Sequence, residues 1–405
     1  MTITYEELAR GIESVIPANG LKEKLALAEK EKRPLIVKFG MDPTAPDLHL
    51  GHAVGLKKLR QFQEAGHELC LIVGDFTACI GDPSGRNSTR PPLTKEEVEI
   101  NAKTYIDQLG KVVDMTKNIR VVSNGEWMNK MTPADFIKLL SKATLAQIMQ
   151  RDDFAQRYAE NAPIALHELV YPLMQGYDSV MVKSDIEFGG RDQLLNCLVG
   201  KSLQEDMGMP GQIVIGMPLL VGLDGKMKMS KSKGNYIGLT EPANDMYGKA
   251  MSIPDDLIPD WVELVTDWSA DEKSHAIADY KNGSVNPMEI KKKIAFNIVE
   301  QYHSRAEAEA AEHFFYIQVQ QRGFDTKEFS DVSAAELGLT SPCGLVDFGV
   351  AVMQGQSKSA IRRLIENGAV SVSGEKITDI NAKIEPVTDG IKIKIGKRGF
   401  YNLKP

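Results

Sequence analysis

The sequence predicts an α/β fold, a doubly wound parallel sheet, followed by an all-helical segment and a small C-terminal α+β domain. Three observations carry this reading. A chain of 405 residues exceeds the usual size of one hydrophobic core, so two or three domains are expected. Between 34 and 73 a strand-type run, a helix-period stretch and a second strand-type run follow one another, the order of a right-handed βαβ unit. From 241 to 325 the pattern turns polar and helical, and after 341 it breaks into short strand-like pieces with turn residues.

Pro34 to Phe39 is the first apolar run of strand type, and Gly40-Met41-Asp42-Pro43-Thr44-Ala45-Pro46 after it is rich in turn formers. A helix is expected from near His49, because Val54, Leu56, Leu59 and Phe62 recur at near-helical spacing. Gly66 stands where a C-terminal cap belongs, before the run Leu69 to Val73. The α/β domain is placed at 1–240. In the helical segment, 241–325, Asn286-Pro287 marks a helix entry and 288–318 reads as long amphipathic helices. The polar stretch 323–342 is read as holding a linker, placed at 326–340. In the last domain, 341–405, Ser357 to Asn367 reads as a helix ended by Gly368. Ala369 to Val372 and Lys376 to Thr378 then flank a Ser373-Gly374 turn like a hairpin.

Composition excludes several classes. The 42% hydrophobic and 25% charged fractions are ordinary for soluble proteins, and no apolar run approaches the roughly 20 residues of a membrane helix. The segment MTITYEELARGIES has acidic residues where a secretory leader has basic ones, so a cytoplasmic location is expected. Cysteines at 70, 79, 197 and 343 have neither metal-ligand spacing nor disulfide density; reduced thiols and no protein-held metal are expected. Net charge is −7, yet 341–405 carries ten basic against six acidic residues, which places any polyanion at the C-terminal end.

Two motifs suggest chemistry. His49-Leu50-Gly51-His52 stands at the opening of a helix after a Pro-rich turn. Free amides and the positive end of the helix dipole favour an anion there, Gly51 permits close backbone approach, and the two imidazoles share a face. The anion would be the triphosphate of ATP, although two surface or capping histidines would read the same. Lys228-Met229-Ser230-Lys231-Ser232 follows a Leu223-Asp224-Gly225 turn. Two lysines on a loop can fold over departing pyrophosphate, although a solvated basic loop has the same letters.

In that order, around one α/β domain, the pair resembles the HIGH and KMSKS signatures of class I aminoacyl-tRNA synthetases. Tyr171-Pro172-Leu173-Met174-Gln175-Gly176-Tyr177-Asp178, Gly81-Asp82-Pro83-Ser84-Gly85 and Gly189-Gly190-Arg191-Asp192-Gln193 narrow the likeness to the bacterial tyrosyl-tRNA synthetases. The resemblance implies a Rossmann-like catalytic domain in which His49, His52, Lys228 and Lys231 are catalytic. It implies ATP contacts at Asp42, Thr44, Gly51, Asp192, Ser230 and Lys231, and places Arg86 and Arg90 against pyrophosphate. For tyrosine it implies Gly40, Thr77, Asp82, Tyr171, Gln175, Asp178 and Gln193. Asp82, Tyr171 and Gln175 would hold the ammonium group, and Asp178 would accept the phenolic hydrogen bond.

Positions 171, 175 and 178 fall at i, i+4 and i+7, one helical face, which suits that role. Two positions depart from the family: Lys38 stands where many members have a tyrosine that contacts the phenol, and Arg191 where a small residue is usual. The stretch Ser357 to Val370 is similar to an RNA-binding module of a ribosomal protein, with Lys358, Arg362 and Arg363 toward RNA phosphates and Ile361, Leu364 and Ile365 toward the hairpin. Implied partners are ATP with Mg²⁺, L-tyrosine, tRNA(Tyr) and a second copy of the chain. Tryptophanyl-tRNA synthetase shares fold and motifs but usually lacks the basic tail. A pure RNA-binding derivative would have lost its nucleotide site, and an adenylyltransferase with a similar histidine turn would be shorter.

Overall fold

The computed structural model describes residues 3–43, 47–84, 93–317, 329–353, 355–396 and 399–405. It forms two compact units, Met1–Ala308 and Glu309–Pro405. The first is built on six strands: β1 (Ser14–Ile16), β2 (Ile36–Met41), β3 (Glu68–Val73), β4 (Ile119–Ser123), β5 (Ile186–Gly190) and β6 (Ile213–Met217). Their spatial order is β1-β6-β5-β2-β3-β4, parallel throughout except for β1, which runs antiparallel to β6.

The βαβ unit read from the sequence is β2, the helix Leu50–Glu64 and β3, with β2 and β3 paired in parallel. The helix has His49 as its N-cap, and Gly66 takes a left-handed φ of 90° just past its end. Leu56, Leu59 and Phe62 are buried on its inner face, and Phe62 meets Phe188 of β5 edge to face at 5.4 Å. One face of the sheet around β2 is apolar (Val37, Leu69, Leu71, Ile186, Phe188); the other is also buried, with Cys70 and Ile72 on β3 but Lys38 and Glu187 on β2 and β5.

From β2 the chain winds outward through β3 to β4, then returns to the other side of β2 for β5 and β6. The winding direction therefore reverses between β2 and β5. At such a reversal the loops leaving the two strands diverge and open a crevice beyond their carboxyl ends. The loops at this crevice are Met41–Pro43 and Arg191–Gln193. Helix Leu166–Val182 flanks it and packs closely on helix Leu194–Asp206: a Cβ on Gly176 would lie 3.0 Å from the Gly200 amide.

Helices from Ala243 to Tyr302 belong to the first unit, with Trp261 fully buried and its indole donating to Val221 O at 3.3 Å. In the second unit β7 (Ser330–Ser333), β9 (Val370–Val372), β10 (Glu375–Ile377), β12 (Ile391–Ile395) and β13 (Gly399–Lys404) make one sheet, while β8 (Cys343–Gly344) pairs with β11 (Lys383–Ile384). The expected hairpin is β9 with β10, and helix Lys358–Glu366 buries Ile361 and Ile365. One correction concerns residues 330–333, read as linker: they are β7, parallel to β13. Ser330, Asp331 and Ser333 disguise it, since only Val332 packs on the core.

Candidate active site

The histidine turn and the lysine loop meet. Leu50 N donates to Ile237 O at 3.0 Å and Leu239 N to Leu48 O at 2.9 Å, so the segment just after the loop is laced to the turn. Met229, in the middle of the loop, is buried beside Gly51; its Cβ is 3.6 Å from where a Gly51 side chain would begin. That side chain would also stand 3.0 Å from the His49 ring, so glycine keeps the helix start clear.

His49 and His52 stack with ring centroids 3.8 Å apart, and His52 Nδ1 accepts from the His49 amide at 3.2 Å. Burial pushes His49 down to about 2, helped by His52, Lys231 and Lys228, and burial with Lys228 pushes His52 down to about 4. Both rings are therefore neutral near pH 7. His49 Nδ1 is buried with no hydrogen-bond partner among the described residues. Positive charge at this end comes from the lysines. Lys228 Nζ is 2.7 Å from Asp192 Oδ2 and Lys231 Nζ is 2.6 Å from Asp47 Oδ2. Asn235 fixes the loop's base, accepting from Ser230 N at 2.8 Å and donating to Asp224 at 3.0 Å.

Beside it lies a cluster of polar side chains. Helix Leu166–Val182 does put Tyr171, Gln175 and Asp178 on one face. Tyr171 donates to Asp42 Oδ2 at 2.8 Å, Thr77 Oγ1 to Asp42 Oδ1 at 2.7 Å, and Asn124 Nδ2 to Thr77 Oγ1 at 3.0 Å. Asp178 accepts from Trp127 Nε1 at 2.9 Å and Asn124 Nδ2 at 3.3 Å. Burial pushes Asp178 up to about 7, while Lys38, Trp127 and Asn124 pull it down. On the other flank Gln193 Nε2 donates to Asp82 Oδ2 at 2.8 Å, and Asn196 Nδ2 donates to Gln193 Oε1 at 3.1 Å and Gln175 Oε1 at 3.0 Å. Arg151 anchors Asn196 at 2.8 Å and Ser84 at 3.0 Å. Gly40 is exposed at the end of β2, and a Cβ there would meet nothing within 4 Å.

Lys38 is fully buried, and its ammonium donates to Glu187 Oε1 at 2.8 Å, Ser179 Oγ at 2.7 Å and Gln175 O at 2.9 Å. It is turned to the β5 side rather than standing in for a tyrosine hydroxyl. Its charge is matched by Glu187, whose other oxygen accepts from Ser179 at 3.1 Å and from the Gln212 amide. Arg191 is three-quarters exposed and points to Glu13 at 3.8 Å.

Of the residues singled out in the sequence, His49, Gly51, His52, Lys228, Ser230 and Lys231 gather at the phosphate-like end. Asp42, Thr77, Asp82, Tyr171, Gln175, Asp178 and Gln193 gather in the polar cluster, with Asp192 between the two through Lys228. Thr44, Arg86 and Arg90 lie outside the described residues. Lys358, Arg362 and Arg363 are exposed in the second unit, with Lys358 held by Asp347 at 2.7 Å. Sequence reading missed Asp47, Asn124, Trp127, Arg151, Glu187 and Asn196. None belongs to a motif, and each is connected to the site only through pairing across the fold. Among the described residues no group of three His, Cys, Asp or Glu side chains could hold a metal ion.

A nucleotide-type helix start, a lysine loop laced to it and a polar cluster at a sheet's reversal point define a class I synthetase site. Residues 30–317 match the family model of class I tRNA synthetases of the W and Y type, and the chain belongs to that family. It is 53% identical over 404 residues to a protein of Photorhabdus laumondii named tyrosine-tRNA ligase 2, covering 100% of each chain. It is 46% identical to the tyrosine-tRNA ligase of Thermotoga maritima, covering 98% of this chain and 96% of that one. The fold matches the crystal structure of an Archaeoglobus fulgidus tyrosyl-tRNA synthetase complexed with L-tyrosine, at a TM-score of 0.62 and 22% identity over 76% of this chain and 98% of that one. A truncated Aspergillus nidulans mitochondrial tyrosyl-tRNA synthetase gives a TM-score of 0.62 at 20% identity, over 77% and 93% of the two chains.

Proposed function

We propose that this chain activates L-tyrosine with ATP and transfers it to tRNA(Tyr), as a tyrosine-tRNA ligase. The observation that carries the choice of amino acid is Asp178, a buried carboxylate presented by Trp127 and Asn124 in the pocket beside the histidine turn. A carboxylate there suits a phenol and leaves an indole without an equivalent partner. The tyrosine carboxylate attacks the α-phosphate of ATP in line, giving tyrosyl-adenylate and pyrophosphate. A ribose hydroxyl at the 3′ end of the tRNA then attacks the activated ester. No protein nucleophile takes part.

In this reading Asp82, Tyr171 and Gln175 surround the ammonium group. Asp42 and Thr77 stiffen that wall, and Gln193 with Asp192 faces the reacting carboxylate and the ribose. The neutral rings of His49 and His52 donate hydrogen bonds to phosphate, and Lys228 and Lys231 exchange Asp192 and Asp47 for the pyrophosphate charge. Thr44, Arg86 and Arg90 are assigned to the ATP side by family resemblance. Mg²⁺ arrives with ATP and shields its phosphates. The exposed Arg362 and Arg363, with Lys358, are assigned to tRNA phosphates. A homodimer is proposed because Ile137 (66% exposed) and Leu145 (64%), on helices Pro133–Leu140 and Leu145–Ile148 that pack on Leu166–Val182, and Leu166 itself (81%) leave large apolar side chains exposed. No helix among the described residues is long and apolar enough to cross a membrane, and the cytoplasm is the proposed location. Pyrophosphate exchange tested with each amino acid should respond to tyrosine, followed by charging of tRNA(Tyr). Exchange driven by tryptophan instead would overturn the assignment, and sedimentation of the full chain as a monomer would remove the dimer.

A further inference from the structure

Away from this site the first unit contains a cavity of about 610 Å³, between the first helix (Tyr5–Ala9), the middle of helix Leu50–Glu64 and the segment 263–273. The volume falls in the range of small-molecule sites, about 300–1,000 Å³. Four of its lining residues are lysines: Lys57, Lys58, Lys111 and Lys273. Their ammonium groups donate to oxygens of neutral groups. Lys57 reaches Val265 O, Lys58 reaches Arg10 O at 2.7 Å, Glu7 O at 3.3 Å and the Gln61 side chain, Lys111 reaches Tyr302 O at 3.0 Å, and Lys273 reaches Glu263 O at 2.8 Å.

The carboxylates of the same wall are engaged by other groups. Glu263 is held by Arg10 at 2.9 and 3.0 Å, Glu64 by Arg60 at 2.8 Å, Glu7 by Thr4, and Asp267 by the Asn297 amide. The lining carries six basic side chains against four carboxylates, an excess of two positive charges, and Lys57 and Lys58 lie where water is scarce and a charge without a facing carboxylate is costly, while Lys111 is exposed at the rim. Burial accordingly pushes Lys57 down to about 7 and Lys58 to about 8, with Lys273 adding to both, and Glu263 and Asp267 only partly offset it. Trp268, half-buried, lines the same space and offers an aromatic face.

We propose that this cavity is a second anion site, distinct from the catalytic cleft, that binds a small phosphate-bearing molecule through Lys57, Lys58, Lys111 and Lys273. Inorganic pyrophosphate and a mononucleotide share that chemistry. They differ in whether a base stacks on Trp268.

The test is residue-resolved acetylation of the full chain near pH 8, read by peptide mass spectrometry, with millimolar pyrophosphate, AMP or neither. A bound anion raises the lysines' affinity for protons, and each unit of rise slows acetylation about tenfold. Lys57 and Lys58 should therefore be protected while exposed Lys22 is unchanged. Protection by AMP but not pyrophosphate, abolished by Trp268→Ala, identifies the nucleotide; protection by pyrophosphate identifies the bare phosphate. No protection by either, or protection of Lys58 that persists in Lys57→Met/Lys273→Met, overturns the site. Tyrosine-dependent exchange in that double variant reports separately on folding and on the catalytic assignment.

Discussion

The two ends of the proposed active site are built differently. At the phosphate end the charged groups are 25–44% exposed, and each lysine is pinned by one carboxylate, Lys228 by Asp192 and Lys231 by Asp47. Such pairs contribute about 0–1 kcal/mol, so an incoming triphosphate can displace them. In the proposed amino-acid pocket Lys38, Glu187, Tyr171 and Asp178 are all 5% exposed or less, and their polar atoms are tied into two networks, one through Lys38 and Glu187 and one from Tyr171 through Asp42, Thr77 and Asn124 to Asp178. That end is fixed before substrate arrives. The difference teaches a division of labour: recognition of a small amino acid needs preorganised partners, whereas stabilising charge that develops and then departs needs groups that can move.

The largest effect that would break this comparison is expected at the mobile end. Lys231→Ala should slow adenylate formation about 100- to 1,000-fold in stopped-flow measurements while tyrosine affinity barely changes. A comparable loss in both would mean that the loop also shapes the pocket.

At the rigid end, Asp178→Asn should raise the KM for tyrosine about 10- to 100-fold, the worth of a hydrogen bond to a charged group, and narrow the preference over phenylalanine. Next comes the pH dependence. Protonating Asp178 removes the acceptor, so the KM for tyrosine should rise as pH falls through about 7. Lys38 lowers and Glu187 raises the affinity of Asp178 for its proton. Lys38→Met should therefore move this limb to higher pH and Glu187→Gln to lower pH. The double variant, which leaves no unpaired buried charge, should lie between them and melt above Lys38→Met. Limbs that do not move apart would show that the buried pair only packs.

The smallest effect sharpens the comparison: Asp47→Asn frees Lys231 from a surface pair and should change the adenylate rate less than about fivefold. A larger change would make Asp47 more than a resting place for the loop.

Much of this was legible in the chain. The βαβ order at 34–73, the histidine turn with Gly51, the lysine loop and the i, i+4, i+7 set at 171, 175 and 178 are local patterns. Local patterns survive in sequence because helix period, turn chemistry and capping act within a few residues. Lys38 shows the limit. Its position in a strand-type run was plain, but its partner Glu187 lies 149 residues away and is reached only because β2 and β5 are neighbours. Asn124 and Trp127 likewise reach Asp178 from the short helix Gly125–Met128 and its cap, and β7 was hidden because a parallel edge strand can pack with a single partly buried apolar residue, Val332.

The sequence by itself therefore determined the α/β class, the helix that begins at the histidines and the residue types able to bind a triphosphate and a phenol. Only the tertiary structure decided that β5 lies beside β2, that Lys38 is neutralised by Glu187 and that Asp178 is held by an indole and an amide. The physical reason is that strand order is set by burial of whole faces over the entire domain, and it fixes which distant charges share a low-dielectric space.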